Sequence, residues 1–367
     1  MRFRPRQQVA AAGVAVVALT LVLGACSSSS SSSAPSGGSS SSSGGGSANL
    51  SGTLNGSGST LQLAYQQAAI AAFKSVQSGL TVNYGAGGSG KGRTDLAAGT
   101  VNFAGSDSPI PDKEKANFKG KTVLYYPILI APITVSYNLS GVSKLQLSGP
   151  TIAGIFSGKI KTWNDPAIKA DNPGVSLPST SITIAVRSDS SGTTANFSNF
   201  LVEAGGSAWT LGTSSVIDWP KTARAGSGNG GVAQIVKSTP GAVGYVDYAD
   251  AKASGLTYAS VKNKAGNYVA PSVDGATSAA QNATVKPDLT FSAIWAAGAQ
   301  SYPISAQSYV LVYQSQSSTS TTANLKGYIG YLLGDGQKLL TQLGYAPLPS
   351  NIDQQATAQL SKIGSGS

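Results

Sequence analysis

Apolar residues in this chain recur in two rhythms, and the rhythms alternate. Leu61, Ala64, Tyr65, Ala68, Ala72 and Phe73 return at helical spacing behind Ser59 and Thr60, either of which suits a helix cap. Leu80 to Tyr84 alternates like a strand, and a glycine-rich loop, Gly85 to Gly92, leads from it to a short helical stretch, Arg93 to Ala98. Val101 to Ala104 reads as another short strand, ending in Gly105-Ser106-Asp107-Ser108-Pro109. Val123 to Tyr137 is long, apolar and rich in β-branched residues, as a strand covered on both faces should be. The style then repeats: helical Thr151 to Phe156, strand Ile182 to Val186, helical Ala195 to Leu201 and Val232 to Lys237, and strand Val243 to Tyr248. Tyr309 to Tyr313 closes the series as a strand, with helical Leu325 to Leu333 and Gln337 to Leu343 behind it. Strands alternating with helices predict an α/β protein with largely buried sheets. At 367 residues and 41% hydrophobic content there is core enough for two lobes.

The first 48 residues break the pattern. Arg2, Arg4 and Arg6 precede an apolar run from Val9 to Ala25, which ends in Leu23-Gly24-Ala25-Cys26. That ending matches the bacterial lipobox, implying a signal peptide over residues 1–25 and lipidation of Cys26, with acyl chains such as palmitate on its thiol and new amine. The alternative is a short transmembrane anchor, since the run is at the lower limit for a span. Residues 27–48 are almost all Ser and Gly and cannot form a core, so 26–48 reads as a lipidated cysteine with a flexible tether. The tether's average reach is about 25 Å. This places the folded part on the extracytoplasmic face of a bacterial cell membrane, held near it but not embedded.

Composition narrows the chemistry. The chain has no histidine, which removes Ser-His-Asp and Cys-His catalysis and His-based metal sites. Its single cysteine allows neither an internal disulfide nor a thiolate cluster. The net charge of +10 comes from scattered Lys and Arg, so a nucleic-acid stripe is not expected, while a small-anion site fits. Neither a metal nor a cofactor is expected.

Four stretches share one chemistry. They are Gly56-Ser57-Gly58-Ser59-Thr60-Leu61 at a helix start, Gly87-Gly88-Ser89-Gly90 after a strand, Gly105-Ser106-Asp107-Ser108 after a strand, and Arg187-Ser188-Asp189-Ser190-Ser191-Gly192-Thr193-Thr194 between a strand and a helix. Glycines let a backbone approach a ligand, and hydroxyls and helix-terminal N–H groups then donate to an oxyanion. Arg187 adds a planar, permanently charged fork, which Asp189 could hold. Each stretch alone is ordinary turn chemistry, or at Arg187 a salt bridge beside a capped helix. Gly85 to Lys91 also satisfies seven positions of the Walker A pattern. Gly92 stands where the Mg²⁺-binding hydroxyl belongs, so Lys91 reads as a solvated charge.

Together these motifs resemble the PstS family, the phosphate-binding proteins of bacterial ABC importers. The resemblance covers Leu50 to Ile352. It includes Val82-Asn83-Tyr84, Phe156-Ser157-Gly158-Lys159-Ile160, Trp163-Asn164-Asp165-Pro166, Thr239 to Tyr245 and Leu343 to Pro349 besides the four loops. It implies a two-lobed periplasmic-binding-protein fold, type II-like, each lobe a central sheet flanked by helices, with two crossover hinge segments. Lobe 1 would be discontinuous, residues 49–134 and 305–367, and lobe 2 would be 135–304. The implied ligand is inorganic phosphate, bound by Thr60, the Leu61 N–H, Ser89 and Asp107 from lobe 1 and by Arg187, Ser191, the Gly192 N–H and Thr193 from lobe 2, with Asp189 in support. The implied partners are the membrane permease and ATPase subunits of an ABC importer, with the chain itself a monomer and not an enzyme. Asp107 is the unusual member, because a carboxylate repels an anion unless the ligand has a proton to give. Phosphate at neutral pH has one and sulfate does not. The alternatives are a binder of another tetrahedral oxyanion, an extracellular phosphate-ester hydrolase using the same pocket, and a surface sensor or adhesin.

Overall fold

The computed structural model describes residues 49–281 and 283–364; the expected signal peptide, Cys26 and the tether lie outside them. The longest apolar run is the longest strand. Val123–Tyr137 (β4) is buried at every position after Val123. It lies inside a nine-stranded sheet with Gly52–Gly58 (β1), Leu80–Ala86 (β2), Phe103–Ser106 (β3), Thr183–Arg187 (β5), Arg224–Gly226 (β6), Ala242–Asp247 (β7), Thr257–Tyr258 (β8) and Ser305–Tyr313 (β9). The order is β2-β1-β3-β9-β4-β7-β5-β6, with β8 also beside β4. β1, β2 and β3 are mutually parallel, and so are β5, β6 and β7. The two groups flank the antiparallel pair β9 and β4.

β4 serves both groups. Its Val123–Pro132 part pairs with β9, and its Ile133–Tyr137 part pairs with β7. The chain therefore passes from the first group to the second inside β4 and returns at Ile304–Ser305. The two crossings are neighbours, because the Ile133 N–H donates to the Ile304 carbonyl at 2.8 Å.

The helices that matter for the site are Leu63–Val76 (α1), Ser89–Ala98 (α2), Gly192–Ala204 (α3), Gly228–Ser238 (α4) and Thr319–Leu333 (α5). α2 begins at Ser89 rather than Arg93, and α3 at Gly192 rather than Ala195. Apolar periodicity cannot see a first turn made of glycine and hydroxyl residues. β1 is a larger departure, since Gly56 to Gly58 reads from sequence as a helix approach. Here strand pairing on both sides overrides propensity: Gly56 sits opposite Tyr84 in β2 and Phe103 in β3. Phe103 is fully buried, stacks on Tyr84 at 6.1 Å and tilts against Tyr328 of α5 at 5.6 Å. A Cβ at position 56 would lie 2.2 Å from that ring, so the core wants glycine there. Aromatic pairs contribute about 0.5–1.5 kcal/mol beyond burial, comparable with the whole span of about 1 kcal/mol of strand propensity.

Candidate functional site

The two groups run in opposite directions, so the carboxyl ends of β1, β2 and β3 face those of β5, β6 and β7, and each strand delivers one loop there. β1 gives Ser59 to Leu61, β2 gives Gly87 to Ser89, and β3 gives Asp107. β5 gives Arg187 to Thr193, β6 gives Gly228 and Asn229, and β7 gives Asp247. The carboxyl edge of parallel strands is where open α/β sheets hold ligands.

Arg187 is 5% exposed and fixed by four bonds to protein. Its Nε and Nη2 donate to the two oxygens of Asp189 at 2.8 and 2.5 Å, a bidentate pair. Its Nη1 donates to Asn229 Oδ1 at 2.8 Å and to Thr193 Oγ1 at 3.3 Å. Asn229 in turn donates to Asp247 at 2.7 Å. Burial alone would raise the Asp189 pKa, but the Arg187 bonds and charge, with the Gly228 N–H, hold it below its ordinary value. The Arg187 N–H bonds the Tyr245 hydroxyl, which burial pushes up to about 12.

Asp107 is 1% exposed and faces this arginine from the other group. Its Oδ1 accepts from Ser59 and from Ser308, each at 2.6 Å, and its Oδ2 from Ser89 at 3.3 Å. Burial pushes its pKa up; the Ser308 and Ser59 bonds, the Arg187 charge and the Ser89 bond pull it back without cancelling the rise. Its carbonyl is held by the side-chain amides of Asn196 at 2.6 Å and Gln307 at 3.2 Å.

The two groups touch directly at this point. The Gly192 N–H donates to Ser89 Oγ at 3.1 Å, the Asn229 N–H to Thr60 Oγ1 at 3.2 Å, and the Gly90 N–H to the Ser190 carbonyl at 2.9 Å. The approach leaves no room for a side chain at Gly192, where a Cβ would meet Ser89 Oγ at 2.4 Å and Asp107 Oδ2 at 2.6 Å. Gly88 combines the same crowding, a Cβ 2.2 Å from Asp189, with a φ of +89°. So Ser89, Asp107 and Gly192 form one contact cluster, Arg187, Asp189 and Thr193 a second, and Asn229 ties Thr60 to the second. Ser191 caps α3, its Oγ accepting from the Thr194 N–H at 3.1 Å, which leaves its own proton to donate. The Leu61 N–H is turned to Ser59 Oγ at 3.1 Å. Lys91 is 55% exposed and paired with Asp95 at 2.6 Å, on the surface.

Comparison with known proteins bears on what this edge serves. The PBP superfamily domain matches residues 43–335. The phosphate-binding protein PstS of Pasteurella multocida is 36% identical over 289 residues, covering 77% of this chain and 83% of its own length. PstS 3 of Mycobacterium leprae is 35% identical over 326 residues, covering 85% and 87%. PstS 3 of Mycobacterium tuberculosis is 33% identical over 364 residues, covering 96% and 98%. The chain belongs to the PstS family. Its fold is that of solved phosphate-binding proteins. A periplasmic one, PfluDING, solved with phosphate, superposes with a TM-score of 0.70 at 22% identity, over 84% of this chain and 94% of that one. A putative phosphate ABC transporter substrate-binding protein of Clostridium perfringens gives 0.60 at 16% identity, over 81% and 100%.

In this PstS-family chain, sequence reasoning passed over three residues at the edge. Asn229 lies in Gly226-Ser227-Gly228-Asn229-Gly230-Gly231, a fifth glycine and hydroxyl loop before a helical pattern, so its signal was present. Ser59 belongs to the first glycine and hydroxyl loop and also suits a cap, but its bond to Asp107 has no signal in the sequence. Ser308 has no local signal. It comes to Asp107 through the pairing of β9, whose register against β4 shifts at Ser308/Tyr309. Such bulges re-aim side chains at functional edges.

Proposed function

We propose that this chain binds inorganic phosphate in the gap between its two strand groups and delivers it to the permease and ATPase subunits of an ABC importer. One observation carries the reading: a locked arginine fork and a buried accepting carboxylate face the same hydroxyl-lined contact from opposite groups. Phosphate carrying one proton answers both, with anionic oxygens for Arg187 and a proton for Asp107. The hydroxyls of Thr60, Ser89, Ser191 and Thr193 and the N–H groups of Leu61 and Gly192 supply the remaining donors. Those two N–H groups rest on neutral hydroxyl oxygens, and an anionic oxygen is the stronger acceptor, so exchange favours the ligand.

The lobes in this reading are 49–134 with 305–367, and 135–304, opening about the paired crossings at Ile133 and Ile304. The lipobox supports anchoring through Cys26 at the outer face of the membrane, with the Ser/Gly tether between lipid and domain. Calorimetry on mature protein stripped of co-purified ligand tests the binding. One phosphate per chain is expected, and absence of heat and of competition by phosphate overturns the reading. For the anchor, Cys26→Ser should abolish incorporation of labelled palmitate; unchanged labelling removes it.

A further inference from the structure

Asp107 is surrounded by hydroxyls whose directions are fixed. Ser308 Oγ accepts from Gln62 Nε2 at 2.9 Å, so its own proton has to point elsewhere, and Asp107 Oδ1 lies at 2.6 Å. Gln62 cannot turn over. Its Nε2 also donates to the Tyr309 carbonyl at 3.2 Å, and its Oε1 accepts from Gln66 Nε2 at 2.7 Å. Gln66 is held the same way, since its Oε1 accepts from the Tyr328 hydroxyl at 2.6 Å. The result is a one-way chain through the core, Tyr328 to Gln66 to Gln62 to Ser308 to Asp107, with each link donating toward the carboxylate. Ser59 repeats the device over a shorter path. Until an anion takes the Leu61 N–H, Ser59 accepts from it at 3.1 Å, and Ser59 donates to Asp107 Oδ1 at 2.6 Å.

We infer that Ser59 and Ser308 are positioning residues that keep Asp107 an acceptor, and that this pair sets the preference for a protonated over an unprotonated oxyanion. The inference rests on the phosphate reading above. A carboxyl that carried a proton on Oδ2 would donate into the gap and welcome sulfate as readily as phosphate. Two locked donors on Oδ1 stabilise the charged form and forbid a proton on that oxygen. Burial works against them, pushing the Asp107 pKa up, so the acceptor state depends on these bonds. The other groups in its field are Arg187, Tyr84 and Tyr345. Burial lifts both tyrosines well above their ordinary range, so they remain neutral and Arg187 supplies the only charge among the three.

The test is anion binding by calorimetry, with inorganic phosphate and with sulfate, from about pH 5 to about pH 8, the range above the ordinary carboxylate pKa. Wild type, Ser59→Ala, Ser308→Ala, the double variant and Gln62→Met are compared. The double variant should narrow the phosphate-to-sulfate ratio at neutral pH by roughly tenfold or more, the worth of hydrogen bonds to a charged group. It should also move the loss of discrimination to higher pH. The single variants should fall between, and Gln62→Met should shift the same way by less, because Ser308 keeps its hydroxyl but loses its fixed direction. A ratio and pH midpoint like wild type overturn the inference. So does an equal loss of both anions at every pH, which is what packing damage alone would give. Wild type that binds no phosphate overturns the functional reading, and this inference falls with it.

Discussion

The two sides of the site start from the same construction, a loop at the carboxyl end of a parallel strand, and finish with opposite chemistry. On the β5–β6 side Arg187 has Asp189, Asn229 and Thr193 holding it from three directions. Its orientation is fixed before any ligand arrives; one Nη2 N–H is left over from these bonds, and the long 3.3 Å bond to Thr193 is the one an anionic oxygen can replace. On the β1–β3 side the charged group is a carboxylate whose bonds come from serine hydroxyls. It repels an anion and rewards a proton. In the phosphate reading proposed above, the difference gives attraction to one side and selectivity to the other.

Breaking the attractive side should have the largest effect. Arg187→Met removes the cation of the proposed site and strands Asp189. Truncating one partner of a buried, hydrogen-bonded charge contact costs about 2–5 kcal/mol of binding free energy, so phosphate affinity should fall about thirtyfold or more in a titration. A loss below tenfold would mean that attraction is spread over both sides. Asp107→Asn is the matching break on the selective side. Phosphate binding should weaken less, while the phosphate-to-sulfate ratio narrows by an amount near 1–3 kcal/mol, the cost of a buried polar group left without its partner. An unchanged ratio would erase the contrast between the sides. Gly192→Ala strikes the contact between them, and the new Cβ has to push Ser89 and Asp107 away. Overpacking of this kind costs about 1–3 kcal/mol. Phosphate should lose affinity and the ratio should narrow with it, because the displaced group is the selective carboxylate; a preserved ratio would mean that the strain is taken up elsewhere in the contact.

The same contrast explains what the sequence could reveal. Arg187 to Thr193 is legible because its parts are neighbours in the chain: fork, carboxylate, cap and helix start fall within one loop, and local order is nearly spatial order. Thr60, Ser89 and Asp107 were readable as similar loops, though only the sheet brings them together. Asn229 had a readable loop of its own. Ser308 did not, because its role depends on a register shift in β9 and on a glutamine at position 62, far away in the chain. The α/β alternation and β4 were legible from apolar runs. The strand β1 was not, since a glycine and serine segment becomes a strand only when β2 and β3 pair on either side. In the proposed phosphate site, selectivity would rest mostly on long-range contacts and attraction mostly on short-range ones.

The smallest expected effect separates the two carboxylates by sign. Asp189 is held below its ordinary pKa: burial opposes this, and the bonds and charge of Arg187 with the Gly228 N–H prevail. Its contribution to stability is therefore fully present above the unfolded value near 3.9 and is lost as pH falls through the depressed folded value. Asp107 is held above its ordinary pKa, chiefly by burial. Its contribution is fully present below the unfolded value and is lost as pH rises through the folded one. Melting temperatures of wild type, Asp189→Asn and Asp107→Asn across acid to neutral pH should show opposite trends. Asp189→Asn should be less stable than wild type at neutral pH by about one to four degrees, since the pair is partly exposed and screened, and should converge on wild type in acid. Asp107→Asn should instead gain on wild type as pH rises. Parallel curves for the two variants would mean that their environments are alike, and the division between an attractive and a selective side would lose its electrostatic basis.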